Sequence, residues 1–138
     1  MSCIFCAIAE GRVPSTRIYE DDVCIAFMDI NPATRGHCLV VPRTHSVDLT
    51  DTSDETLSHM IRVARRVGRA ALDGLSADGF NLLQCTGQAA FQSVFHVHFH
   101  VIPRYAGDGL KVPWTHRHQD LQQIQEAGAT LRGALAGP

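Results

Sequence analysis

Three histidines, His96, His98 and His100, occupy every second position of the segment HVHFHVI. Alternate side chains of an extended chain point to opposite faces, so a strand here would place the imidazoles on one face and the intervening Val and Phe side chains on the other. Burying three imidazoles without polar partners would cost about 1–3 kcal/mol for each unsatisfied group. The pattern therefore predicts a strand with one chemical face and one core face.

Two kinds of partner suit the chemical face. Imidazole is a common metal ligand, and a neutral imidazole can also attack a phosphate while a neighbouring one supplies a proton. A structural row of polar side chains, or an exposed histidine stripe, is the alternative. Three histidines at a strict period of two, beside a loop of small residues and the dipeptide PR, favour a chemical role.

The rest of the chain predicts one long helix among short strands. Apolar residues recur at three and four positions from Glu55 to Leu75, and Thr52 with Glu55 resembles a capping box. Strands are predicted in RIYE and DDVCIAFMDI, as a hairpin, and in the segments 36–45, 79–85 and 94–104. A short helix is predicted at 3–10, and a C-terminal helix is predicted from the spacing of Leu121, Ile124, Ala127, Leu131 and Leu135. Strands before and after one long helix indicate the α+β class.

Length and composition limit the class of protein. With 138 residues, 45% of them hydrophobic and 19% charged, the chain suits a single domain covering 1–138. The net charge of −2 gives no basic field, so we expect no binding to nucleic acid. The N-terminus lacks the pattern of a signal peptide, and no apolar run reaches the roughly 18 residues of a membrane span. We therefore expect a cytoplasmic protein without a membrane partner.

The cysteines pose a separate question. They are five in number, and Cys3 and Cys6 form a CxxC motif at the chain start. In a cytoplasmic protein this favours a metal site or free thiols over disulfides. As a redox pair, the motif lacks the strand context of thioredoxin-like proteins.

The chain resembles the histidine triad (HIT) superfamily of nucleotide hydrolases and transferases over residues 3–105. The histidine run HVHFHVI matches the family signature, and HVHFHVIPRY is similar to its bacterial and archaeal branch. The segment CIFCAIAEGRVPSTRIYEDDVCIAFMDINPATRGHCLVVPRTH is similar to the family's N-terminal half. This resemblance implies an antiparallel sheet packed with helices, and a homodimer. Segment 106–138, with Trp114, His116 and His118, matches nothing we can place.

The resemblance also implies catalytic roles. His98 corresponds to the nucleophile that attacks the α-phosphorus and becomes a nucleotidyl-histidine, from which water releases the nucleoside monophosphate. His96 and His100 would flank the phosphate, and His37 would join them. Gln92 and Ser93 match loop positions that contact the scissile phosphate, with Ser93 as the candidate proton donor to the leaving group. Ordinary loop hydrogen bonding is the alternative for both residues.

A nucleoside site follows from the same resemblance. Phe27 and Ile30 would sandwich the base, or belong to the core, and Asp29 would accept hydrogen bonds from the ribose. Two departures from the family pattern lie near the substrate: Phe91 stands where many members have Gly, and Cys85 where an Asn often binds ribose or phosphate. With Val94, these residues complete the predicted nucleotide site.

Zinc is implied in the same way. Some members with a CxxC bind zinc through it, together with the histidine that ends PRTH and the first histidine of the triad. Here these residues are Cys3, Cys6, His45 and His96. Two thiolates and two imidazoles form a closed structural zinc site, in which His96 would serve both the metal and the triad.

Several functions are compatible with this sequence. The first is hydrolysis of a purine nucleoside phosphoramidate with release of AMP through His98. A dinucleoside polyphosphate hydrolase would differ only in its leaving group. A nucleotide-binding regulatory module with little turnover is a different class, which an intact triad with Ser93 disfavours. Metal storage is disfavoured because the other histidines lack ligand spacing.

Overall fold

A computed structural model describes residues 3–137, so Met1, Ser2 and Pro138 of the predicted domain lie outside the described residues. Five strands form one antiparallel sheet in the order β1-β2-β3-β5-β4. They are β1 (Arg17–Glu20), β2 (Cys24–Met28), β3 (Cys38–Pro42), β4 (Gly79–Leu83) and β5 (Phe99–Arg104). Three helices accompany them: α1 (Ile4–Ala9), α2 (Asp54–Gly74) and α3 (Leu121–Leu135). The predicted α+β class, with one long helix and a C-terminal helix, is confirmed.

The hairpin between β1 and β2 forms where predicted. Asp21 shapes the turn because its Oδ1 accepts hydrogen bonds from the backbone N–H groups of Val23 and Cys24, both at 2.8 Å. Its Oδ2 lies 2.7 Å from Nε2 of His59 on α2. The same carboxylate therefore closes the turn and ties it to the long helix.

The start of α2 differs from the prediction. Ser53 is the capping residue, and its Oγ accepts a hydrogen bond from the backbone N–H of Thr56. The predicted capping box of Thr52 and Glu55 is wrong, because Thr52 ends a short 3₁₀ turn and its hydroxyl donates to the carbonyl of Asp48 at 2.7 Å. Farther along α2, a Cβ at Gly68 would overlap the ring of Phe80, so glycine permits close packing of α2 against β4.

The sheet separates two cores. Side chains from the sheet and α2 form the larger one, whose buried members are Cys24, Ala26, Cys38, Val40, Met60, Val63, Ala64, Val67, Val97, Phe99 and Val101. The opposite face packs against α1 through Phe5, Ile8, Ala9, Ile25, Phe27, Leu39 and Val41. Val97, Phe99 and Val101 thus all face α2, as the alternation predicted, which leaves the intervening histidines toward α1.

The histidine segment is only partly a strand. β5 begins at Phe99, so only His100 of the three histidines lies within it, and the predicted start at 94 is wrong. The backbone N–H of Val97 bonds to the carbonyl of Ser46 at 2.8 Å, outside the sheet. The predicted strand 79–85 similarly ends at Leu83. A loop therefore joins the end of β4 at Leu83 to the start of β5 at Phe99.

The C-terminal helix lies apart from the two cores. Asp120 and Gln123 form a capping box that begins α3. Its apolar residues Leu121, Ile124, Leu131 and Leu135 are all exposed. Within the described residues, no helix is long and apolar enough to cross a membrane.

Candidate active site and metal cluster

Imidazole rings lie side by side on the α1 face of the sheet. The ring centroids of His98 and His100 are 4.9 Å apart, and those of His37 and His100 are 5.2 Å apart. On the other side of His98, the edge of the Phe5 ring packs against both His98 and His96, at 5.0 and 5.9 Å. The structure thus brings the three predicted triad residues and His37 together.

Hydrogen bonding determines the tautomer of His98. Its Nδ1 lies 2.7 Å from the carbonyl oxygen of His96. A carbonyl oxygen can only accept, so Nδ1 carries the proton and Nε2 of the neutral ring keeps its lone pair. A neutral imidazole with a free Nε2 is the form required of a nucleophile.

A second chain of hydrogen bonds determines the tautomer of His100. The backbone N–H of Ala33 donates to Nδ1 of His37 at 2.9 Å, so a neutral His37 carries its proton on Nε2. That Nε2 lies 2.9 Å from Nδ1 of His100, to which it donates. His100 therefore carries its own proton on Nε2. Asp29 supports this chain, with Oδ2 at 3.5 Å from Nε2 of His37.

Burial keeps the row neutral. Desolvation lowers the pKa of His98 below its usual value, opposed by the hydrogen bond to His96. The pKa of His100 falls to about 4, mainly because of desolvation and then because of the neighbouring His98 and His37. Desolvation also lowers the pKa of His37, against the attraction of Asp29. Near neutral pH the site therefore combines an acceptor on His98 with a donor on His100.

The loop before the triad is held by Gln92. This side chain is buried, accepts a hydrogen bond from the backbone N–H of Gly87 at 2.8 Å, and donates to the carbonyls of Val47 and Val94 at 2.7 and 3.1 Å. Through these hydrogen bonds Gln92 holds the loop in place. Ser93, next to it, is exposed. Contact of either residue with a phosphate stays a prediction.

The predicted nucleoside residues lie in different environments. Phe27 is buried in the α1-side core, with its ring 5.6 Å from that of Phe5. Ile30 is 91% exposed, and Asp29 lies between them, bonded through Oδ1 to the backbone N–H of Asn31. Phe27 thus occupies the core position foreseen as the alternative, while the base contacts of both residues stay predictions.

Three further predicted nucleotide contacts lie along the loop between β4 and β5. Cys85 is buried just after β4, and desolvation raises the pKa of its thiol. Val94 is half-buried and packs at the border of the α1-side core. Phe91 is exposed on the same loop.

The structure also brings together the four predicted metal ligands. One possible ligand atom from each of Cys3, Cys6, His45 and His96 lies within 4.8 Å of all the others. Nδ1 of His96 is 3.3 and 3.5 Å from the sulfurs of Cys3 and Cys6, and 3.1 Å from Nδ1 of His45. Nδ1 of His45 is 3.4 Å from the sulfur of Cys6.

These distances fit a tetrahedral ion. Bonds of about 2.3 Å to sulfur and about 2.0–2.1 Å to nitrogen put tetrahedral ligand atoms about 3.3–3.8 Å apart. Nε2 of His96 lies 2.8 Å from the carbonyl oxygen of Pro42 and must donate to it, which leaves Nδ1 free to coordinate. Cys3, the N-cap residue of α1, and Cys6, within α1, are half-buried, His45 is exposed, and His96 is buried. The donor set and its geometry therefore suit a metal ion such as zinc.

Sequence patterns missed three parts of this site. Phe5, the carbonyl of Pro42 and the backbone N–H of Ala33 hold the histidines in place, but none carries a motif. Asp29, His37 and His100 also meet the distance requirement for a metal cluster. Nε2 of His37 and Nδ1 of His100, however, are joined by a hydrogen bond.

The fold and site together define a class of protein: an antiparallel sheet that presents a row of imidazoles beside a tight loop is the arrangement of histidine triad proteins. The HIT domain model matches residues 10–107. An HIT-like protein of Mycobacterium tuberculosis is 46% identical over 136 residues, covering 99% of this chain and 94% of the relative. The chain belongs to the HIT family.

Other relatives extend this comparison. A Saccharomyces cerevisiae protein named adenosine 5'-monophosphoramidase is 36% identical over 99% of this chain and 84% of its own length. A HIT family structure from Bacillus subtilis superimposes with a TM-score of 0.90 at 35% identity, covering both chains completely. A zinc-bound histidine triad protein from Mycobacterium smegmatis is 49% identical, with a TM-score of 0.78 over 97% of this chain and 98% of its own.

Proposed function

We propose that this protein hydrolyses purine nucleoside phosphoramidates and releases the nucleoside monophosphate through a covalent intermediate on His98. One observation carries the proposal: the adjacent rings of His98 and His100 are fixed in complementary tautomers. His98 offers the lone pair of Nε2, and His100 offers a proton on Nε2. Such a pair suits attack on phosphorus beside a stabilised phosphoryl oxygen.

The first step transfers the nucleotidyl group to the enzyme. Nε2 of His98 forms a bond to the α-phosphorus while the bond between phosphorus and the leaving nitrogen breaks. The leaving amine takes a proton, for which the hydroxyl of Ser93 is the proposed donor. The ring of His98 then carries a positive charge, which the carbonyl of His96 stabilises through the existing hydrogen bond from Nδ1–H.

The second step restores the enzyme. A water oxygen attacks the phosphorus, the bond to Nε2 breaks, and the nucleoside monophosphate leaves. One water proton returns to Ser93, and His98 regains its lone pair. His100 donates to a phosphoryl oxygen in both steps, and His37 keeps it in the donating tautomer.

The sheet register suggests how the nucleotide lies. Met28, Cys38 and Val101 form one row across the sheet, while Phe27, Leu39 and His100 form the next. Asp29 and Ile30 follow β2 at one end of the sheet, beyond His100. The phosphate at His98 and His100 would therefore place the ribose near Asp29, whose carboxylate can accept hydroxyl hydrogen bonds.

Relatives support the same chemistry. The yeast relative is named adenosine 5'-monophosphoramidase, which specifies adenosine and a phosphorus–nitrogen bond. The match covers nearly all of this chain. A purine nucleoside with an amine leaving group is accordingly the substrate class we propose.

We also propose that Cys3, Cys6, His45 and His96 hold a structural zinc ion. The support is the tetrahedral spacing of the four donors, the orientation of His96 by Pro42, and a zinc-bound relative. Bound there, zinc would stabilise the fold by joining α1 to the segments after β3 and before β5. No step of the reaction requires it.

A homodimer in the cytoplasm completes the proposal. The apolar side chains of α3 are exposed in a single copy, and apolar surfaces of this kind are typical of protein interfaces. None of the five cysteines forms a disulfide, as expected in a reducing compartment. We propose that a second copy covers the apolar stripe Leu121, Ile124, Leu131 and Leu135.

A substrate comparison tests the activity. The protein is incubated with adenosine 5'-phosphoramidate, with a diadenosine polyphosphate and with AMP, and nucleotide products are separated by chromatography. Release of AMP from the phosphoramidate, with a nucleotidyl adduct on His98 in rapidly quenched samples, is the expected result. Preference for the diadenosine compound would show that the leaving group is a nucleotide and not an amine. Tight AMP binding without turnover of either substrate would overturn the enzyme and identify a binding module.

A further inference from the structure

Phe91 occupies a backbone conformation that suits glycine. Its φ is 74° and its ψ is 15°, in the left-handed region, where a Cβ makes unfavourable contacts. Among the described residues, Ser76 is the other non-glycine residue with a positive φ. Phe91 is 59% exposed, so burial offsets little of the cost of strain. Folding alone therefore does not account for an aromatic residue at this position.

Hydrogen bonds of the loop hold this conformation in place. The backbone N–H of Phe91 donates to the carbonyl of Gln88 at 3.1 Å, and that of Gln92 donates to the carbonyl of Gly87 at 3.1 Å. The buried side chain of Gln92 adds its bonds to Gly87 and Val47. The backbone that carries the ring is thus fixed immediately before Gln92 and Ser93.

Other exposed apolar residues lie on the segments that meet at this loop. Val47, Leu49 and Phe95 are each at least 40% exposed. Their segments are joined by the bond from Gln92 to the carbonyl of Val47, by Leu49 N–H to the hydroxyl of Thr86, and by Val97 N–H to the carbonyl of Ser46. Exposed apolar groups beside a polar reactive site are typical of ligand binding.

The topology shows which part of a substrate would reach Phe91. β4 ends at Leu83, opposite His100, so the loop that carries Phe91 leaves the sheet at the end where β5 begins. Asp29 follows β2 at the other end. A nucleotide with its ribose at Asp29 and its phosphorus at His98 therefore directs its remaining substituent, the leaving group, toward the loop.

We infer that Phe91 is a specificity-determining residue that selects leaving groups with an aromatic part. This inference rests on the proposed function and names its substrate class: nucleoside phosphoramidates of amines that carry an aromatic ring. The ring would stack on the departing amine, while the strained backbone holds it at the mouth of the site.

The test compares two substrates that differ only in the amine. One is adenosine 5'-phosphoramidate, whose leaving group is ammonia, and the other has an arylethylamine as its leaving group. Variants Phe91→Gly and Phe91→Asn remove the ring at a residue compatible with the left-handed region, and Phe91→Tyr keeps it. Ser76→Gly, at the far end of α2, is the matched control for relief of strain.

The ratio of kcat/KM for the aromatic substrate to that for the unsubstituted one is the decisive measurement. We expect this ratio to fall about three- to tenfold in Phe91→Gly and Phe91→Asn, the value of one aromatic contact, and to be retained in Phe91→Tyr and Ser76→Gly. An unchanged ratio in both ring-deleted variants, with the wild type active, would overturn this inference and leave the proposed function standing. A wild type that hydrolyses neither substrate would overturn the proposed function itself.

Discussion

Nδ1 of His98 donates a hydrogen bond to the carbonyl oxygen of His96 across 2.7 Å, while the side chain of His96 lies in the cysteine and histidine cluster. The residue proposed as the nucleophile is thus oriented by the backbone of a proposed metal ligand. Nε2 of His96 in turn bonds to the carbonyl of Pro42, at the end of β3. The reactive ring and the metal cluster consequently share one rigid support.

Replacement of the nucleophile gives the first prediction. His98→Ala removes the only protein atom proposed to bond to phosphorus, so kcat/KM for adenosine 5'-phosphoramidate should fall by at least about 10³-fold. His116→Ala, an exposed histidine between β5 and α3, is the control and should retain activity. The rate of AMP release is measured by chromatography. A kcat/KM of His98→Ala within tenfold of the wild-type value would show that another residue is the nucleophile.

The second prediction concerns pH. His100 has a folded-state pKa of about 4, against about 6.5 when unfolded, because it is buried and faces His98 and His37, with Asp29 acting in the opposite direction. Between these values the unfolded chain binds more protons, so the free energy of unfolding should fall as the pH drops from 6.5 to 4. His100 has no effect on the free energy of unfolding above pH 6.5, and the loss reaches the order of 3 kcal/mol below pH 4.

Urea unfolding at pH 7, 5.5 and 4.5 checks this linkage. His100→Gln keeps a polar side chain that does not titrate, so its stability should depend less steeply on pH than that of the wild type. Both proteins keep the four residues of the metal cluster, which makes their difference specific to His100. Equal slopes in the two proteins would show that His100 does not titrate between these values.

The third prediction tests the metal cluster. Protein purified without added metal should contain about one zinc ion per chain, and His45→Ala should lose most of it because a closed site needs four ligands. Its melting temperature should fall, and a chelator should lower that of the wild type toward the same value. The matched control is His118→Ala, which changes an exposed histidine outside the cluster. Equal zinc content in the wild type and His45→Ala would exclude the site.

The fourth prediction compares the effects of replacing two glutamines of one loop on the free energy of unfolding. Gln92→Ala leaves the Gly87 N–H and two carbonyls without their partner, and should lower the free energy of unfolding by about 1–3 kcal/mol. Gln88→Ala, exposed four residues earlier, should change it by less than about 0.5 kcal/mol. If urea titrations show equal losses of unfolding free energy in the two variants, Gln92 does not hold the loop in place.

The fifth prediction concerns assembly. Placing carboxylates on the apolar stripe of α3, as in the double variant Ile124→Asp and Leu131→Asp, should convert the proposed dimer to a monomer. Gln122→Asp, on the opposite side of the same helix, should leave assembly intact. Light scattering after gel filtration gives the mass. A monomeric wild type would refute the dimer, and a dimeric double variant would place its interface elsewhere.

Local pattern was sufficient for much of the fold. The alternation of His with Val and Phe predicted which side chains face each side of the sheet, and the three- and four-residue spacing predicted α2 and α3. Boundaries were less accurate, since β5 begins at Phe99 and Ser53 caps α2 in place of Thr52. Alternation persists in an extended chain without ladder hydrogen bonds, so it cannot show where a strand begins.

The residues available for chemistry can be identified in the sequence: the triad, the CxxC motif and His37. Their tautomers and the groups that hold them in place depend on the folded chain. His37 meets His100 across 63 residues, and Cys6 meets His96 across 90. Ala33 contributes only its backbone N–H and Pro42 only its backbone carbonyl. Every residue type has the carbonyl, and every type except proline has the N–H. Contacts of this kind leave no periodic trace in the chain, because they arise only when the sheet brings distant segments together.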